Sequence, residues 1–137
     1  MPDEKSDRNA GRLPHGLNRV SGAILDAALK VHRRLGPGLL EGVYEDCLLV
    51  ELRLRGFRVS RQVFVPLEYE GVRIDHALRI DLVVEDAVVV ELKSVESPTA
   101  LHRAQLLSDL RLSGKRLGLL LNFNVALMKD GVVRIAS

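Results

Sequence analysis

The chain has little with which to stack bases or to cross-link itself. Its 137 residues include no Trp, two Tyr and three Phe, too few for an extended platform on which the bases of a single strand would stack. Its one cysteine, Cys47, forbids an intrachain disulfide and points to a reducing compartment. Cys47 sits in an apolar helical stretch and reads as core rather than nucleophile. Four His without paired cysteines give no zinc pattern. No apolar run is long enough to span a membrane, and the polar N-terminus carries no signal-peptide core, so a cytoplasmic protein without membrane contacts is expected. There is no Gly-rich phosphate loop of the Walker or Rossmann type, and no separate helix-turn-helix or zinc-finger module. An excess of one charge is also missing: 20 Lys+Arg against 18 Asp+Glu leave +2, which by itself does not announce a nucleic-acid binder.

What is present is enough apolar residue, 47%, to fill the core of one domain of this length. Residues 1–16 are polar, charged and punctuated by Pro and Gly, and read as a disordered tail; 17–137 read as a single domain. Leu17, Val20, Ile24, Ala28, Val31 and Leu35 recur at helical spacing up to Gly36-Pro37. A second helix is expected from about Leu39 to Arg55, with Leu40, Val43, Cys47, Val50 and Leu54 as its core stripe. Glu41, Tyr44 and Leu48 lie toward another side, where Glu41 could reach a sheet. Extended runs follow: Phe57 to Tyr69, bent near Pro66; Leu78 to Val84; and Val88 to Ser94. Ser97 as N-cap and Pro98 at the first helical position begin a helix that stops at Gly114. Leu117 to Phe123 is a buried strand, and Val132 to Ile135 a short last one. Basic residues cluster at Arg33 and Arg34, at Arg53, Arg55, Arg58 and Arg61, and at Lys115 and Arg116. Beside an acidic site they would suit a phosphate backbone; a solvated helix face explains any one cluster equally well.

The most telling pattern is Asp81 followed by Glu91-Leu92-Lys93. Side chains alternate along a strand, so Glu91 and Lys93 share a face with Val89. A three-residue turn at Glu85-Asp86-Ala87 would put Asp81 opposite Glu91. Two acids and a lysine then meet on an apolar sheet, where burying charge is costly unless something pairs it. A hard divalent cation, which takes one or two carboxylates and keeps waters and phosphate as its other ligands, would do so. Held by Asp81 and Glu91, with the Leu92 carbonyl as a further ligand, Mg²⁺ or Mn²⁺ could polarise a phosphodiester. Lys93 could orient the attacking water or stabilise developing charge. The competing reading is a structural Glu91/Lys93 pair with Asp81 on an exposed face, because a D…E-x-K string is loose.

Further blocks narrow the choice. Gly38, Glu41 and Tyr44 form a G-x-x-E-x-x-Y string, preceded by Val31-His32-Arg33-Arg34-Leu35-Gly36-Pro37; His102-Arg103-Ala104-Gln105 and Gly118-Leu119-Leu120-Leu121-Asn122-Phe123 follow. In this order and spacing they resemble the GxxExxY protein family of the PD-(D/E)XK nuclease superfamily, from about Leu17 to about Ile135. The resemblance implies an α/β, restriction-endonuclease-like αβββαβ core, with a mixed central sheet flanked by helices and a metal site. Asp81, Glu91 and Lys93 match the motif's two acids and lysine. Glu41 matches the acid carried on the helix before the sheet, and is expected to complete the acidic cluster at the metal, directly or through water, or to recruit a second metal. Gln105 matches the glutamine of a Gln-x-x-x-Tyr helix motif. Ile80 stands where the motif's proline would be, and Asp109 where that helix motif has tyrosine.

His102, Gln105 and Asp109 share a helical face. Gln105 is expected to bind substrate. His102 is either a phosphate contact or a cap, and Asp109 is expected at the surface. Glu41 has a plain alternative, since the helix dipole alone favours an acid in a first turn. Tyr44 reads as a packing residue whose hydroxyl bonds a neighbour, with Glu41 one choice, and Gly38 as a backbone requirement after Pro37. The expectation is a Mg²⁺- or Mn²⁺-dependent nuclease acting on DNA, with room for a homodimer when two strands are cut. The alternatives are a non-catalytic nucleic-acid-binding or protein-interaction module on the same fold, and a metal-dependent enzyme on another phosphoester such as a nucleotide.

Overall fold

The computed structural model describes residues 15–137; the expected tail lies almost wholly outside the described residues. Helix α1 (His15–Leu35) begins two residues before the expected Leu17 and buries Val20, Ile24, Ala27, Ala28 and Val31. Gly36, at φ +68, ends it, with its N–H donating to the His32 carbonyl at 2.7 Å.

Helix α2 (Glu41–Leu54) corrects the expected stripe. It buries Tyr44, Leu48, Leu49 and Leu52, whereas Leu40 is 80% and Leu54 78% exposed, and Cys47 is only half-buried. The helix carries apolar residues at helical spacing on two sides, so periodicity alone fits either. What decides is Tyr44: its ring stacks on Phe123 at 4.6 Å between centroids.

Strands β1 (Val59–Tyr69) and β2 (Val72–Val84) form one long hairpin. Its two-residue turn, Glu70 (φ +50) and Gly71 (φ +76), has the doubly left-handed geometry that matches strand twist. The register shifts between Val65 and Leu67, around Pro66, which has no N–H to give to a ladder. Strand β3 (Val88–Lys93) pairs antiparallel with β2 through the expected turn at residues 85–87, where Glu85 and Asp86 both have φ +53. Helix α3 (Ala100–Ser113) starts later than expected, capped by Thr99 rather than Ser97, and Gly114 (φ +73) ends it. It carries the chain to β4 (Leu117–Asn122), parallel to β3 and wholly buried. A 3₁₀ turn (Met128–Gly131), not foreseen, leads to β5 (Val132–Ala136).

The sheet order is β1-β2-β3-β4-β5. One face packs Leu82, Val84, Val90, Leu92, Leu119 and Leu121 against α1 and α2. The other packs Val83, Val89 and Leu120 against Leu106 and Leu110 of α3. The chain thus has the αβββαβ order with a mixed sheet between helices, preceded by α1 and closed by β5. Among the described residues no helix is long and apolar enough to cross a membrane.

Candidate active site

The β2–β3 ladder runs from Val84↔Val88 to Leu82↔Val90, and the next position in that register is Asp81 against Glu91. The strands part there. In place of a main-chain bond, Asp81 Oδ2 accepts the Leu92 N–H at 3.0 Å. Asp81 is therefore held by the backbone it faces, at the point where β2 bends away. Ile80 and Val83 both pack on the α3 side, so strict alternation breaks beside Asp81. Gln62, on the partner strand, takes φ +52 at the same place.

The bend opens a cleft of about 410 Å³ against α3, and Asp81, Glu91, Lys93, Glu41 and Gln105 all line it. Glu41 arrives there by a braced turn. Gly38 adopts φ +99, the Tyr44 hydroxyl donates to the Gly36 carbonyl at 2.6 Å and accepts the Leu39 N–H at 3.1 Å, and Ser94 Oγ, just after β3, donates to the Leu39 carbonyl at 2.8 Å. Tyr44 thus ties the turn and not Glu41, as one sequence reading had it. The G-x-x-E-x-x-Y string has a physical logic: a left-handed residue, an acid delivered to the cleft, and a tyrosine that fastens the turn to the core.

The electrostatics are those of crowded acids. Burial, a hydrogen bond with Asp109, and the Asp81 charge push Glu91 up to about 11. Its Oε1 is buried without a hydrogen-bond partner. Asp109 is raised chiefly by burial. Glu41 is raised by burial, opposed by Lys93 and reinforced by Asp81 and Glu45. The expectation that Asp109 is a surface residue is wrong: it is 5% exposed and meets Glu91. The signal was available in α3. Leu101, Ala104, Gln105, Ser108 and Asp109 stand at i, i+3, i+4, i+7 and i+8, and this whole stripe faces the cleft. His102 lies beside that stripe. Its Nδ1 accepts the Thr99 N–H at 3.1 Å while its own N–H donates to Thr99 Oγ1 at 3.3 Å, so the structure shows it as a cap and places no part of it in the cleft wall.

The donors present suit a hard cation: oxygens only, one of them a buried carboxylate oxygen lacking any partner. Among the described residues no three His, Cys, Asp or Glu side chains are gathered closely enough to cage a metal. The site therefore fits an ion that takes two carboxylates and keeps much of its water shell, and not a protein-enclosed one.

A family model of the PD-(D/E)XK nuclease superfamily matches residues 18–135. The chain belongs to this superfamily. Searches of curated proteins and of solved structures gave no match. For a PD-(D/E)XK nuclease, the five-stranded mixed sheet between helices is the restriction-endonuclease-like fold. The bend at Asp81 lies where that core opens toward α3.

Proposed function

We propose that this chain is a divalent-metal-dependent nuclease that hydrolyses phosphodiester bonds in DNA, in the GxxExxY branch of its superfamily, with 17–137 as one catalytic domain. The observation that carries the reading is the convergence of Asp81, Glu91 and Lys93 in one cleft, with a Glu91 oxygen left without a partner. Asp81 and Glu91 would hold Mg²⁺ or Mn²⁺. When bound, the ion supplies Lewis-acid polarisation of a phosphoryl oxygen and charge to the transition state. The protein does the rest. Asp81 is kept in place by the Leu92 N–H. Burial and the neighbouring Asp109 and Asp81 favour the protonated Glu91, so holding the ion would require Glu91 to release that proton to solvent. Lys93 orients the water whose oxygen forms the new bond to phosphorus, and offsets negative charge as the opposite ester bond breaks. Glu41 would complete the acidic cluster, directly or through water, or recruit a second metal. Gln105, exposed on the cleft wall, contacts the substrate strand. A homodimer would bring two such centres to the two strands of a duplex.

Lys93→Ala tests the mechanism. Cleavage of labelled linear, circular and single-stranded DNA should disappear in Lys93→Ala while its fold survives. Retained cutting in that variant would sink the role given to Lys93. Folded wild type that binds DNA yet never cuts it would favour a non-catalytic binding module instead.

A further inference from the structure

Most cations of the expected basic clusters are spent inside the protein. Arg55 bonds Asp26 and Glu51, Arg61 bonds Glu45 and Asp46, Arg58 bonds Glu85, Arg53 bonds the Val59 carbonyl, and Lys115 bonds Asp86. Arg79 is different. It is exposed, it lines the cleft, and its guanidinium makes no hydrogen bond or ion pair among the described residues. Nothing in the sequence pattern singled it out.

We propose that Arg79 anchors a backbone phosphate of the nucleic-acid strand, next to the phosphate that is cleaved; the assignment rests on the nuclease reading above. The cleft wall carries Glu41, Asp81, Glu91 and Asp109 against two cations, Lys93 and Arg79. A polyanion entering such a wall needs positive charge beyond the reacting centre, and Lys93 is already committed there. Arg79 and Asp81 are two residues apart on β2, hence about 7 Å along the strand. That step is comparable with the spacing of consecutive phosphates along one nucleic-acid strand. A guanidinium presents paired N–H groups that match phosphate oxygens, and this one has no internal carboxylate competing for it. Its neighbours on β2, Leu78 and Ile80, pack inward, which fixes the backbone beneath it.

The test is binding of a short fluorescein-labelled duplex in the Lys93→Ala background, where turnover does not consume the probe, across a range of salt. Arg79→Gln should weaken binding about 10-fold and lower the slope of log affinity against log salt by about 0.9, the loss of one phosphate contact. Arg79→Lys should keep the slope. An unchanged slope in a folded Arg79→Gln protein overturns the assignment. With Lys93 restored, Arg79→Gln should cost more on an oligonucleotide than on bis(p-nitrophenyl) phosphate, which has a single phosphate; equal losses put Arg79 at the reacting bond and also overturn it. The two readings separate cleanly. An Arg79-dependent slope in a protein that never cuts leaves the anchor standing and the nuclease fallen; cutting with an unchanged slope does the reverse. No DNA binding by any variant removes both.

Discussion

Glu91 concentrates the chemistry of the site in one side chain. Its carboxyl, ordinarily near 4.5, is held up to about 11, first by burial and then by Asp109 and Asp81. The sign of the consequence is fixed. A group whose folded pKa is raised binds more protons folded than unfolded, so its contribution is full below the ordinary value and is lost as pH climbs toward the folded one. Metal-free protein should therefore lose stability progressively as pH rises from about 5 toward about 11. Glu91→Gln should flatten that profile, measured as thermal unfolding in EDTA at several pH values; an identical slope in both proteins would show that Glu91 is not the group responsible. Metal binding needs the ionised carboxylate, so Mg²⁺ should stabilise the wild type more at high pH than at low. That Asp81, Glu91 and Lys93 meet in one cleft was legible in the sequence because their spacing survives projection onto two strands. Asp109 was legible only as a member of its helical stripe, because an acid on an amphipathic helix is ordinarily at the surface and packing alone decides that this side of α3 borders the cleft.

The elements hold the site through a few main-chain anchors. Asn122, fully buried at the end of β4, donates to the Val95 carbonyl at 2.9 Å and accepts N–H groups from Val95 and Asn124, at 3.1 and 3.3 Å. It thereby fixes the chain just past Lys93. Asn122→Ala should cost about 2–4 kcal/mol in denaturant unfolding, since it strands buried backbone groups. Thr99→Ala should cost about 1 kcal/mol by removing the cap of α3. His102→Ala should also act on stability, with DNA affinity little changed; a large loss of affinity at unchanged stability would restore it as a phosphate contact. Helix and strand positions were largely readable from periodicity and from turn chemistry such as that of residues 85–87. The inward face of α2 was not, because Leu40, Val43, Val50 and Leu54 compete with Tyr44, Leu48 and Leu52 on equal apolar terms. The start of α3 moved because Thr99 and His102 close a reciprocal cap that Ser97 and Pro98 do not.

At the scale of the whole molecule, near-neutral charge conceals an uneven distribution. Acids gather in the cleft, while Arg55, Arg58, Arg61 and Arg73 pair with acids elsewhere on the surface. Net charge therefore said little about partners, and the basic clusters said less than they promised. The sheet order explains why so much of the fold could be anticipated: β1 to β3 follow one another through short turns, and the single parallel pairing, β3 with β4, is bridged by a helix the sequence announces. The extension of β2 back from Leu78 to Val72 and the 3₁₀ turn had no comparable signal. The proposed function requires metal-dependent chemistry at Asp81, where β2 and β3 part. The deciding measurement is the rate of labelled-DNA cleavage as Mg²⁺ is titrated into wild type and Asp81→Ala, both shown to be folded. Cutting by the wild type that saturates with Mg²⁺, stops in EDTA and falls at least ~100-fold in Asp81→Ala is the predicted result. Equal rates in the two proteins, or no cutting by the wild type at any Mg²⁺ concentration, would contradict it.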